Sequence, residues 1–231
     1  MLGEVDILCL ANSEKHGQRC LAGVRIDTGG WIRPVSTEGG GALFEDQYTA
    51  ECGKVAQPLD SVRIRFDQYS PKYHQPENWL ISKQESLELL GSELNKLQLL
   101  ALNTALQREG KIFSTERNSR SKIELKDSLS TQSLTLIRPQ NAQFYINTSS
   151  NNNQPRTEFD FDGHHYDFPI TDPRWRQRVR SENPRDLPSI NDLDNNEDLL
   201  FTISLGEEFE GHCYKIVAAI FSLDSELIVD L

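Results

Sequence analysis

At 231 residues, with 37% hydrophobic and 26% charged residues, the chain has the composition of a globular protein with room for one large core or two modest ones. No apolar run approaches the roughly 20 residues that span a bilayer, and the opening "MLGEVDILCLANSEKHG" lacks a basic segment followed by a small-residue cleavage site, so a cytoplasmic protein away from membranes is expected. The net charge of −11 argues against a non-specific nucleic-acid binder, but residues 181–231 hold twelve Asp/Glu against two Lys/Arg, leaving 22 positive and 23 negative over residues 1–180.

The first third reads as strands: "VDILCLA" (5–11), "RCLAGVRID" (19–27), "WIRPVS" (31–36) and "DSVRIRFDQY" (60–69), the last alternating apolar and charged positions. Near residue 82 the period changes. "SKQE" has the pattern of a capping box on Ser82 and Glu85, and Leu87, Leu90, Leu94, Leu97, Ala101 and Ala105 recur at helical steps until Gly110. One helix of about 25 residues is predicted there, with its Leu stripe packed on a barrel. "REGKIFSTERNSRSKIELKD" (108–127) reads as an exposed, mildly basic loop. Strands resume at "SLTLIRP" (133–139) and "AQFYINT" (142–148), then a polar turn at 149–155 and a hairpin in "TEFDFDGHHYDFPI" around Asp162-Gly163. "TDPRWRQRVR" (171–180) starts a short helix with Asp172 as N-cap and Pro173 at the first position. After an acidic loop (181–198), three closing strands are predicted from "LLFTISLGEEFEGHCYKIVAAIF" and "ELIVDL". The fold class is therefore mainly β: a first all-β module, a small barrel or sandwich, at 1–80, a helical insertion at 81–110 and a second all-β module at 111–231 carrying a basic short helix.

Catalytic and metal motifs are missing. The four cysteines are scattered with no C-x-x-C pair, no H-x-x-x-H completes a zinc set, and neither a phosphate-loop glycine pattern nor G-x-S-x-G occurs. No cofactor is expected, and an enzyme is the less favoured reading. The stretch "CLANSEKHGQRCLAGVRIDTGGWIRPVS" (9–36) concentrates the polar candidates instead. Asn12, Ser13, Lys15 and Arg19 on a strand connection suit a phosphate or a base edge, and equally suit a hairpin tip bonded to its own backbone. Trp31 and Arg33 lie two apart on a strand and share a face, an arrangement that can stack a base and hold its phosphate or can belong to a barrel core and its seal.

"ILCLANSEKHGQRCLAGV", "GGWIRPVS", "LTLIRP", "TDPRW" and "SLGEEFEGHCYKIVAAI", in that order from about residue 5 to about 222, resemble the bacterial dual OB-fold domain (DuOB) family. The resemblance implies two OB-like barrels in one chain, a bacterial source, an association with defence-system nucleases or helicases, and binding of nucleic acid or a nucleotide. It also adds Pro34, Arg138, Asp172, Trp175, Gly206 and Lys215 to the matching positions and assigns no catalytic residue. The favoured expectation is an accessory or sensing module for single-stranded nucleic acid or a nucleotide. In it Trp31 stacks, Lys15, Arg19 and Arg33 hold phosphate, and Asn12 and Ser13 read polar edges. Two alternatives stay open: a scaffold docking a nuclease or ATPase partner, marked by exposed apolar residues on 87–106, and a small-molecule sensor or enzyme with an enclosed pocket.

Overall fold

Apolar side chains in "VDILCLA" are buried on both faces of a long first strand, and its backbone pairs with a neighbour along each edge. The computed structural model describes residues 3–82, 87–127, 132–149, 153–181 and 197–224, and the chain divides into two units, Met1–Ala105 and Leu106–Asp230.

The first unit contains β1 (Gly3–Lys15), β2 (Gln18–Arg25), β3 (Trp31–Val35), a four-residue α1 (Glu45–Tyr48), β4 (Ser61–Tyr69), β5 (Asn78–Ile81), β6 (Glu88–Gly91) and α2 (Lys96–Ala105). β1, β2 and β3 form a meander, β3 runs parallel to β5, β5 pairs antiparallel with β4, and β4 returns to β1. This is a closed five-stranded ring with the OB connectivity, and β6 adds a sixth strand alongside the Ser61–Arg63 end of β4. Val5, Ile7, Cys9, Leu21, Ile32, Val62, Ile64, Phe66 and Ile81 fill its interior. The packing is close enough that a Cβ on Gly23 would lie 2.2 Å from the Leu8 carbonyl oxygen, so only glycine fits where β2 crosses β1.

The predicted 25-residue helix is corrected by the structure. Its capping box, Ser82 to Glu85, falls largely outside the described residues. Glu88–Gly91 is a strand, with Val62 opposite Leu89 and Arg63 opposite Glu88. Gly91 sits at a φ of 136°, which no helix admits. The helix proper has ten residues and its own cap: Asn95 Oδ1 accepts the Leu97 N–H at 2.8 Å, while Gln98 Oε1 accepts the Asn95 N–H at 3.1 Å. Ala101, Leu102 and Ala105 pack inward, in contact with β1 and β2.

The second unit contains β7 (Leu106–Gln107), β8 (Ser119–Ser121), α3 (Lys122–Asp127), β9 (Leu134–Ile137), β10 (Gln140–Asn147), β11 (Gln154–Phe161), β12 (His164–Pro169), α4 (Pro173–Ser181), β13 (Glu197–Phe209) and β14 (His212–Asp224). It is a half-barrel of two sheets, one in the order β10-β11-β12 and one in the order β7-β9-β13-β14-β8. An aromatic cluster of Phe144, Phe159, Tyr166, Phe168, Trp175 and Phe201 makes its core. The stretch 108–127, expected to be an exposed loop, instead carries a 3₁₀ turn with buried Ile112 and Phe113, then β8 and α3. β13 and β14 supply two of the three closing strands; the third, from "ELIVDL", and most of the acidic loop lie outside the described residues.

Candidate functional site

The connection between β1 and β2 is only His16-Gly17. Both residues have positive φ, 50° and 77°, as a two-residue hairpin turn with Lys15 opposite Gln18 requires. Asn12 and Ser13 consequently lie inside β1 rather than on a turn, each 5% exposed. Asn12 Nδ2 donates to the Ala56 carbonyl at 2.7 Å and Ser13 Oγ to the Cys20 carbonyl at 3.4 Å, so both tie the barrel to neighbouring chain. Lys15 reaches out to the Gly40 carbonyl at 2.8 Å, and the Arg19 backbone pairs with Leu43. Arg33 is buried and its N–H donates to the Glu77 carbonyl, whereas Trp31 remains partly exposed. Trp31 stands opposite Val24, five residues along β2 from Arg19, a separation of about 16 Å at the strand rise. Trp31 thus stands apart from Arg19.

In the second unit, Asp172 and Trp175 are buried and hold α4 to β14. Asp172 Oδ1 accepts the Arg174 and Trp175 N–H groups, Asp172 Oδ2 accepts the Ile220 N–H, and Trp175 Nε1 donates to the Ile220 carbonyl at 3.0 Å. Arg138 is exposed directly after β9. Lys215, expected to meet an anion, is 0% exposed. Its Nζ donates to the Ile112 carbonyl at 2.7 Å and to the Thr115 carbonyl, and lies 5.4 Å from the centre of the Tyr166 ring. Burial pushes its pKa down to about 7, and the charges of Arg120 and Arg117 act in the same direction. The clamped turn contains Phe113 and Ser114 at φ 47° and 62°, left-handed values that side chains seldom adopt, and Tyr166 Oη accepts the Ile112 N–H beside them. Lys215 is a structural clamp.

Around these fixed residues opens a cleft of about 570 Å³. Its walls include Arg156, Arg176, Phe209 and Tyr214, and among the described residues no carboxylate lines it. Phe209 is 62% exposed and Tyr214 43%, unusual for aromatic rings in a folded chain. Arg156 is held in place, donating from Nε to Asp167 Oδ1 at 2.9 Å and from Nη1 to Gln154 Oε1 at 3.0 Å. Of the arginines on α4, Arg176 lines the cleft, Arg178 lies over the Trp175 ring and Arg174 bonds Asp172 and the Ile220 carbonyl. Phe209 and Arg156 carry no motif and escaped the sequence reading. The signal that could have found them is an apolar Phe209 beside the Glu210-Gly211 turn, where a strand end has no core to fill. Among the described residues no group of three or more His, Cys, Asp and Glu could hold a metal ion, and all four cysteines are free thiols.

A family model for the dual OB-containing domain matches residues 5–220 of the chain. A search of the curated proteins found no match. Among solved structures, a murine DNA-binding protein bound with double-stranded DNA aligns at 7% identity and a TM-score of 0.36 over 95% of this chain and 97% of that one. The p204 HINb domain aligns at 9% identity and a TM-score of 0.35 over 96% of each chain. The Ifi202 HINa domain in complex with 20-bp double-stranded DNA aligns at 10% identity and a TM-score of 0.34 over 96% and 95%. Likeness at this depth carries no argument about a ligand.

Proposed function

The chain belongs to the dual OB-containing domain family, and from that premise we propose that it is a nucleic-acid binding module whose second unit takes single-stranded DNA or RNA in the cleft beside β14. One observation carries the reading: a concave wall that joins two exposed aromatic rings, Phe209 and Tyr214, to the Arg176 guanidinium, edged by Arg156 on its Asp167 and Gln154 bonds, with no carboxylate among the described residues that line it. Rings stack on any unpaired base, and guanidinium forks hold phosphate in two-bond geometry. Paired bases present only their edges, so a strand with free base faces is the better occupant. Lys15, Arg19 and Trp31 belong to the first unit and are not part of this cleft, and Asn12, Ser13, Arg33, Asp172, Trp175 and Lys215 hold the framework of their own units.

The test is fluorescence anisotropy with labelled single- and double-stranded DNA and RNA, and with mononucleotides, over a salt series. Single strands are expected to bind more tightly than duplexes. Phe209→Ala and Tyr214→Ala are each expected to weaken them about tenfold, the value of one stacked base. Binding that survives both substitutions together, or an absence of binding by folded protein at low salt, overturns the proposal.

A further inference from the structure

Beyond the cleft of the second unit, the sheet face that bears Phe209 and Tyr214 continues to the turn at Glu210-Gly211. Side chains two apart on a strand share a face, and so do those directly opposite on neighbouring strands. Phe209 stands opposite His212, and Tyr214 lies two residues further along β14. The three rings therefore make one row. The His212 and Tyr214 ring centres are 6.4 Å apart at an interplanar angle of 47°. His212 is outside the cleft wall, directly across from a ring that is in it.

The neighbours of the row on its own sheet are small. Across β8, Ser121 stands opposite His212 and Ser119 opposite Tyr214. On the other side Tyr214 faces the irregularity between Leu205 and Glu208, where a Cβ on Gly206 would lie 3.4 Å from the Tyr214 carbonyl oxygen. All three rings are accordingly exposed. His212 is also restrained: its Nδ1 donates to the Glu210 carbonyl at 3.2 Å, since a carbonyl oxygen can only accept. A ring already held loses little freedom when a flat ligand covers it.

Charge at this end differs from that of the cleft. Glu207, Glu208 and Glu210 belong to the same hairpin, and Lys122 meets Glu208 at 2.9 Å. A phosphate gains little here, whereas the face of a base carries no net charge.

We propose that His212 is a third base-stacking residue, so that the bound strand passes over Tyr214, Phe209 and His212 as three unpaired bases while its phosphates stay on the Arg176 side. The inference rests on the nucleic-acid reading and extends its site to the end of the hairpin. Imidazole serves as a stacking surface as phenyl and phenol rings do, and stacking accepts any base.

The test titrates single-stranded oligonucleotides of two to eight residues against the full chain and its His212→Ala and His212→Phe variants by anisotropy, with amide chemical shifts recorded alongside. His212→Ala is expected to weaken the longest strand about tenfold, and His212→Phe, which keeps a flat ring, to stay within about twofold of the native chain. Lengthening the strand from two to three nucleotides is expected to tighten binding about tenfold in the native chain and hardly at all in His212→Ala. Both variants are expected to keep the native urea midpoint, because the ring is exposed. Affinity unchanged in His212→Ala, where Phe209→Ala and Tyr214→Ala weaken the strand, overturns this inference and leaves the nucleic-acid reading standing. Equal losses in His212→Phe and His212→Ala overturn the stacking role. Absence of binding by every oligonucleotide overturns both readings. A lysine-bearing peptide that shifts the Phe209 and His212 amides, where the single strand leaves them in place, also overturns the inference, since the row then holds a cation between rings and glutamates.

Discussion

Asp172 satisfies three backbone N–H groups on two elements with one buried carboxylate, those of Arg174 and Trp175 at the start of α4 and that of Ile220 in β14. Asp172→Ala removes a helix cap and strands a buried donor in β14 at the same time. A loss of about 2–4 kcal/mol is expected in urea unfolding, with Asp172→Asn milder because its carbonyl oxygen can still accept. Lys215 makes stability rise with pH, the same sense as a carboxylate held below its ordinary range, but in a much higher pH window. Its amine has a pKa of about 7 in the folded chain and an ordinary value near 10.5 when unfolded. Between these values the unfolded chain carries a proton that the folded chain lacks, so raising the pH favours folding by up to about 1.4 kcal/mol per unit. Below about 7 both forms are protonated and this contribution is smallest. Denaturation midpoints compared from pH 7 to 10 should show the slope in the native protein and lose it in Lys215→Met. At this scale the sequence was a mixed guide. The cap at Asp172 was legible because Asp-Pro opening an apolar-periodic segment has few other uses. Asn12 and Ser13 look like turn residues only until β1 is seen to run to Lys15, its turn falling on His16-Gly17.

Elements were legible where the period was clean. All the predicted strands of the first 70 residues and the Asp162-Gly163 hairpin occur at the expected places, because alternating side chains have to face one core. Residues 82–109 failed for a physical reason: Leu87, Leu90, Leu94 and Leu97 satisfy a helical period, yet Leu87 belongs to the barrel core and Leu97 is exposed. Gly91, between them, was the residue to heed, since its φ of 136° separates strand from helix. The short β5 went unpredicted because its Asn78 and Trp79 follow a polar loop and it pairs parallel with β3, a partner more than 40 residues away. The element most sensitive to a single atom is β2. Gly23→Ala places a methyl 2.2 Å from the Leu8 carbonyl oxygen and 2.6 Å from Ile7 Cγ2, both in the adjoining strand. The barrel has to open to admit it, and a loss of about 2–3 kcal/mol is expected in thermal unfolding, with the cleft of the second unit still binding at low temperature.

For the whole molecule, charge governs how any nucleic acid is met. With a net charge of −11 and a pI near 4.9, the chain repels a polyanion at long range, and in the proposed reading short-range contact at the second unit's cleft, lined by no carboxylate among the described residues, attracts it. Two or three phosphates held by arginine give a slope of about −1.4 to −2 in log affinity against log salt for single strands. Near 0.1 M salt the long-range repulsion is screened within about 10 Å, but near 0.01 M it extends to about 30 Å. The plot is therefore expected to flatten at the low-salt end, where a basic protein's would continue to rise. Anisotropy titrations between these limits check this, and a slope that steepens on dilution would place the contacts elsewhere.

The closure of β1 against β4 has a consequence for the order of assembly. Gly3 pairs with Phe66, a span of 63 residues, so the ring that begins at the first strand cannot be sealed until the fourth has been made. β13 and β14, by contrast, meet across the two residues Glu210 and Gly211 and zip together along 13 residues each. Closing a long loop costs entropy before any contact repays it, whereas a hairpin is rewarded at once. A chain leaving the ribosome therefore emerges with the strands of its first barrel waiting on one another, their apolar edges unsealed for the time it takes to synthesise some sixty residues. In refolding from denaturant the second unit shares the constraint, since its hairpin forms at once but β14 must still reach β8, with His212 opposite Ser121 across 91 residues.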